Sequence, residues 1–269
     1  KGRSKKEILI STYLCHPSMA NNELSGPIAS MVLAKKYLNK KNSKSIRILF
    51  IPETIGSIAY LATNKKKLKK NIIGGYNLSC IGDDRDHSCM FSKYNNTQSD
   101  KALIKAYKDL KIKFKIYSFL KRGSDERQYN SPGIEFPIAS IFRSKYNRYP
   151  EYHTSLDDFT LVTLSGVTGG FMVAKEAIKI LLNNVYPKHE VLCEPQMGKR
   201  GLYPNLSVKK NLNFSTKKRN ITSKDFLSFI QYSDGKNSIE QISKLIKLDL
   251  MSTKRIFRKL LKYRIVSSW

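Results

Sequence analysis

The stretch Cys15-His16-Pro17-Ser18-Met19-Ala20-Asn21-Asn22-Glu23-Leu24-Ser25-Gly26-Pro27 decides the fold. An apolar, β-branched run, Ile8 to Leu14, precedes it and reads as a buried strand. Ile28 to Leu38 follows, with apolar residues at helical spacing. A polar loop between a buried strand and a helix is where α/β enzymes place their chemistry. This loop offers one imidazole, His16, and the side-chain oxygens of Asn21, Asn22 and Glu23. That mixture of nitrogen and oxygen donors suits zinc. Pro17 restricts His16 to extended backbone, which aims it off the strand end. The same residues also read as a polar turn whose Asn side chains cap the next helix. The loop by itself does not separate the two readings.

Outward from the loop the pattern repeats. Ile46 to Ile51, Ile72 to Ile81, Lys113 to Phe119 and Phe136 to Phe142 read as strands. Ile58 to Leu68, Lys101 to Leu110 and Val167 to Leu182 read as helices. Strands alternating with helices predict an α/β fold, an open sheet with helices on both faces. In such sheets functional residues gather at strand ends. His16, Glu53, Asp83, Asp125 and His153 each follow a predicted strand, the pattern of one shared cleft.

The 269 residues suffice for one large α/β domain and a small one, and 41% hydrophobic content supports a packed core. The net charge of +28 raises the question of a nucleic-acid partner. Lysine, however, is spread over almost every segment, which argues for general compositional bias over a focused patch. The four cysteines, Cys15, Cys80, Cys89 and Cys193, show no C-x-x-C spacing and no disulfide framework. That usage fits a reducing cytosol, so a cytoplasmic location is expected. No apolar run approaches the ~20 residues of a membrane span. The chain enters a core strand almost at once, which implies that N-terminal sequence carried by relatives is missing.

After Tyr186 the composition changes. Residues 1–186 form the α/β unit, 187–221 read as a Pro-, Gly-, Asn- and Lys-rich linker, and 222–269 form a compact helical unit. Ser223, Ser238 and Ser252 each stand before a short amphipathic helix, and Ile265-Val266 opens a short strand. Three helices and a strand make a winged helix-turn-helix pattern. Lys254, Arg255, Arg258, Lys259 and Lys262 lie on the third helix, the one that enters the major groove in a DNA reader. The wing is nearly absent, so a docking domain with a solvated basic face is favoured over a specific DNA reader. Packing through Ile239, Ile242 and Ile246 would support a homo-oligomer.

With these segments in view the chain resembles the bacterial aminopeptidase-like zinc proteins with a C-terminal winged-helix domain, related to di-zinc aminopeptidases and glutaminyl cyclases. The stretches that carry the resemblance are Cys15 to Gly26, Pro52 to Leu61, Gly123 to Gly133, Glu151 to Asp158 and Cys193 to Pro204. It implies an open mixed sheet flanked by helices, of the zinc-exopeptidase type. It also implies zinc ligands at His16, Asn22 and His153, and a general base at Glu53. Asn22 stands where relatives carry a bridging aspartate, Thr54 where aminopeptidases carry a second-metal glutamate, and Ser79 where they carry a metal aspartate. These departures imply one zinc ion instead of two. Asp125 and Arg127, oppositely charged at the cleft rim, are expected to bind a substrate amine and carboxylate.

The resulting expectation is a zinc-dependent hydrolase that cleaves a peptide or small amide bond with metal-activated water. Relatives occur in surface-polysaccharide biosynthesis settings, which adds an amidated or aminoacylated sugar as a substrate class. The competing expectations are a catalytically degraded member that acts as a binding or scaffold protein, and a DNA-binding regulator working through the winged helix. For single residues, simpler roles also stand. Glu53 suits the N-terminus of the next helix, and His153 suits a core histidine bonded to Asp157.

Overall fold

Strand β1 (Ser4–Tyr13) lies between β2 (Lys44–Ile51) and β3 (Ile72–Leu78) and pairs with both in parallel. Every residue from Glu7 to Tyr13 is buried. A central parallel strand is covered on both faces, so its apolar residues run together instead of alternating. The computed structural model describes residues 1–202 and 221–268. Lys1–Asn183 and Asn184–Trp269 form separate compact units.

The first unit is built on a six-stranded mixed sheet in the order β2-β1-β3-β6-β4-β5, completed by β4 (Ser88–Met90), β5 (Lys115–Tyr117) and β6 (Ile138–Phe142). All pairings are parallel except β4 with β6. No sequence pattern marks β4, because three residues are too few to show a period of two. Helix α2 (Ile55–Asn71) and the short α4 (Glu126–Tyr129) cover one face, where Leu9 packs with Leu61, Leu68, Tyr129 and Ile138. On the other, α5 (Leu164–Asn183) packs against α1 (Ser25–Tyr37) and α3 (Gln98–Asp109).

From β1 the chain moves outward to β2, then returns to β3 on the other side of β1. Loops leaving the carboxyl ends of β1 and β3 therefore diverge and open a crevice. Helix α1 enters close over this point. A Cβ at Gly26 would stand 2.4 Å from the Leu78 carbonyl oxygen and 2.5 Å from Thr12 Oγ1, so only glycine fits.

In the second unit, β7 (Pro187–His189) pairs antiparallel with β8 (Val266–Ser268). Helices α6 (Ser223–Gln231), α7 (Ile239–Leu245) and α8 (Leu250–Lys262) enclose Phe229, Ile242, Ile256, Leu260 and Ile265. Ser238 caps α7 as expected. The caps of α6 and α8 are Thr222 and Asp249 instead of Ser223 and Ser252. Thr222 forms a reciprocal capping box with Asp225, and the Asp249 carboxylate accepts the Ser252 amide at 2.9 Å. Strand β7 lies inside the segment read as a linker. Three residues held by a partner far along the chain carry no local signature. Residues 203–220 of that segment lie outside the described residues, as does Trp269.

Candidate functional site

The β1–α1 loop carries the first part of the site. Residues Ala20–Leu24 form a π-helical turn, buried except at Leu24, a form often found at functional positions. The turn begins with two amides that lack helical partners, and Asp157 takes both. Asn21 N–H donates to Oδ1 at 2.5 Å and Asn22 N–H to Oδ2 at 3.1 Å. The Tyr149 hydroxyl also donates to Asp157, at 3.0 Å. Asn21 ties the loop to the end of β3: its Oδ1 accepts from Gly82 N at 2.7 Å and its amide donates to Asp83 at 3.2 Å. Asn22 Oδ1 accepts from the Tyr13 hydroxyl at 2.9 Å and the Cys80 thiol at 3.6 Å. Neither asparagine caps α1, whose first residue follows Leu24 with no side-chain cap.

Glu23 is buried beneath the loop. One carboxylate oxygen accepts the Cys15 amide at 2.7 Å; the other lies 3.0 Å from His16 Nδ1 and 3.3 Å from the Asn22 amide nitrogen. The His16 ring, half-exposed, lies 4.4 Å from the ring of His153, with 41° between their planes. His153 is exposed, has a backbone φ of 59°, and stacks on Tyr152 at 3.9 Å. It is therefore not the core histidine of the simpler reading, because Asp157 is engaged with the π turn. The fold brings together two imidazoles from loops far apart in the chain.

Glu53 leaves β2 on a strained turn. Thr54 has φ 61° and ψ −67°, and the Ile55 amide donates back to the Glu53 carbonyl at 2.6 Å, closing a three-residue γ-turn. A β-branched residue resists this conformation, so neighbours must hold it. Asp125 Oδ1 accepts both the Thr54 amide and the Ser57 hydroxyl at 2.8 Å. Arg127 donates to Thr54 Oγ1 at 2.7 Å. Asp125 is fully buried, so the expectation that it meets a substrate amine at the rim is corrected: its carboxylate is turned inward to anchor the turn. Burial, followed by the charges of Glu53 and Glu126, pushes its pKa up to about 6.

Glu53 is near enough to the β1–α1 loop for its charge to act there. Burial first, and then charges that include Glu53, raise the Tyr13 and Tyr152 hydroxyls and the Cys15 thiol. Asp83, by contrast, is enclosed, accepting from Ser144 N at 2.9 Å, Ser144 Oγ at 2.7 Å and Arg85 N at 3.0 Å. A cavity of about 440 Å³ opens between Asp83, Asp84 and Arg85 and the loop that carries His153, with Glu151, Leu156 and Thr160 on its wall. Arg85 and Glu151 join in a two-pronged ion pair, both contacts 2.7 Å, across its rim.

The donor chemistry fits zinc. A thiol, an imidazole and a carboxylate, from Cys15, His16 and Glu23, place ligand atoms within 4.8 Å of one another. In the sequence Glu23 reads only as one of the loop oxygens, Cys15 only as a free cysteine, and Asp157 only as a partner for His153. The signal available was the placement of Cys15 and Glu23 on either side of His16 in one strand-end loop.

Residues 1–184 match the family model described as a domain of unknown function, DUF4910. The chain belongs to the DUF4910 family. Residues 184–268 match a winged helix-turn-helix model. This DUF4910 chain is 37% identical over 246 residues to a Clostridium acetobutylicum protein described as a polysaccharide biosynthesis protein with aminopeptidase-like domain; the match covers 90% of the chain and 54% of that relative. A solved peptidase structure from the same organism superposes on 100% of the chain and 59% of its own, with 32% identity and a TM-score of 0.70. A zinc aminopeptidase from Bacillus subtilis shares the fold over 66% of the chain and 47% of its own, at 14% identity and a TM-score of 0.58. The DUF4910 chain thus spans little more than half the length of the first relatives it matches. Its fold is aminopeptidase-like, with a C-terminal winged helix. Among the described residues no helix is long and apolar enough to cross a membrane.

Proposed function

We propose that the first unit is a zinc-dependent hydrolase that cleaves a peptide or small amide bond. The observation that carries the reading is the junction of His16 and His153, rings 4.4 Å apart; Glu53 is presented separately, on a braced, strained turn at the end of β2. His16 would hold the ion, with His153 at its side. Zinc held there would supply an activated water and an electrophile for the substrate carbonyl. Glu53 would serve as general base, taking a proton from the attacking water and passing it to the leaving amine. Asp125 and Arg127 keep Glu53 in place through Thr54. The name of the Clostridium relative supports an aminoacylated or amidated sugar as the substrate class.

Glu53→Gln tests this reading. The variant should keep its metal and lose turnover by about 10²–10⁴-fold, the usual worth of a general base. Retained turnover removes Glu53 from the role. A wild-type protein that binds zinc and hydrolyses no aminoacyl or acylamino-sugar substrate favours the scaffold reading, to which the engaged oxygen of Asn22 also lends weight.

A further inference from the structure

We propose that the metal site of this chain is a Cys15–His16–Glu23 triad carried entirely by the β1–α1 loop. The proposal rests on the metal-hydrolase reading and departs from it in the donor set. Asn22, the oxygen ligand expected from the resemblance, offers its carbonyl to Tyr13 and Cys80 instead. A carboxylate one residue later faces His16.

The geometry supports the triad. One ligand atom from each residue lies within 4.8 Å of the other two, and His16 Nδ1 is 3.0 Å from Glu23. Around a tetrahedral zinc, with bonds of about 2.0–2.3 Å, donors stand roughly 3.3–3.8 Å apart, so the His16–Glu23 pair, now at hydrogen-bond distance, has to open slightly to admit an ion. Cys15 and His16 are adjacent, Ser18 reverses the chain at φ 65°, and the π turn returns Glu23 beneath them. The Cys15 amide already holds the Glu23 carboxylate at 2.7 Å. Glu23 is only 3% exposed, so its orientation is fixed before an ion arrives.

Three protein ligands leave a fourth position for water, the arrangement of a catalytic zinc site. A thiolate and an imidazole select zinc, or cobalt in its place, over magnesium, calcium and manganese. His153 lies next to His16, outside the triad.

Cobalt(II) titration of the metal-free full chain tests the triad by its spectrum, independently of turnover. Wild type should show intense visible bands of a four-coordinate ion and a near-ultraviolet thiolate-to-cobalt band. Cys15→Ser should lose the near-ultraviolet band and weaken binding at least tenfold. Cys15 is exposed, so this variant has no folding penalty to confuse the result. Glu23→Gln should also weaken binding at least tenfold, whereas Asn22→Ala should change it less than threefold. Binding without a thiolate band, a band that survives Cys15→Ser, or metal lost in Asn22→Ala but kept in Glu23→Gln would overturn the triad. Zinc-dependent turnover that requires His16 and ignores Cys15→Ser and Glu23→Gln would overturn it while sparing the hydrolase. A cobalt site with the expected variant pattern but no hydrolysis would uphold the triad and remove the hydrolase reading.

Discussion

Replacing Asp125 with asparagine should change how stability depends on pH. The carboxylate is fully buried and its pKa is raised from 3.8 to about 6, chiefly by burial. Between those values the folded chain holds a proton that the unfolded chain has released. Stability is therefore highest below about pH 4, falls as pH rises to about 6, and is level above that. A shift of about two units corresponds to about 3 kcal/mol over that window. For a unit of 183 residues this amounts to about 6–12 °C in melting temperature. Asparagine has similar volume and does not titrate. The melting temperature of wild type minus that of Asp125→Asn should thus fall by about 6–12 °C between pH 4 and pH 7, read by calorimetry in matched buffers. Taking the difference cancels other titrating groups such as His87, which burial and Arg143 depress to about 4. The variant also loosens the hold on Thr54, whose backbone stores about 1–3 kcal/mol of strain, so turnover should fall even at pH 7. A difference that stays constant across the pH range would refute the buried, titrating anchor.

Three further outcomes are expected. Asp157→Ala strands the amides of Asn21 and Asn22, each a buried donor worth about 1–3 kcal/mol, and should cost about 2–5 kcal/mol in denaturant unfolding. Gly26→Ala drives a Cβ to 2.4 Å from the Leu78 oxygen and should destabilise by about 1–3 kcal/mol in the same assay; an unchanged midpoint would mean that α1 does not sit so close to β3. In α8, Lys254, Arg255, Arg258 and Lys259 are exposed opposite buried Ile256 and Leu260, so DNA binding should be steeply salt-dependent and sequence-blind. A preference of about a thousandfold for one site, lost in Arg255→Ala, would contradict that.

The parts of the fold that were legible were those with a long period. Ile8 to Leu14 and Val167 to Leu182 announce a buried strand and a helix through composition alone. The three-residue strands Ser88–Met90 and Pro187–His189 exist because distant partners hold them, and no local pattern marks them. The site divides in the same way. His16, Glu53 and His153 follow predicted strands, which is what singles them out as candidates. Asp125 and Arg127 stand out in the sequence as a charge pair, whereas their bonds to Thr54 depend on its positive φ, a strain that no sequence pattern advertises. The assignment of Asn22 followed the resemblance, whereas the direction of its amide is set by Tyr13 and Cys80, which approach from elsewhere in the fold.

The central claim, a metal-dependent hydrolase in the aminopeptidase-like unit, is tested most directly by metal removal and return. The full chain is stripped with a chelator, and zinc is then titrated back while bound metal and cleavage of an aminoacyl substrate are followed together. The expected result is about one zinc per chain, cleavage that rises in step with occupancy, and neither in His16→Ala. Cleavage by the stripped protein, or a chain that takes up no zinc, would contradict it.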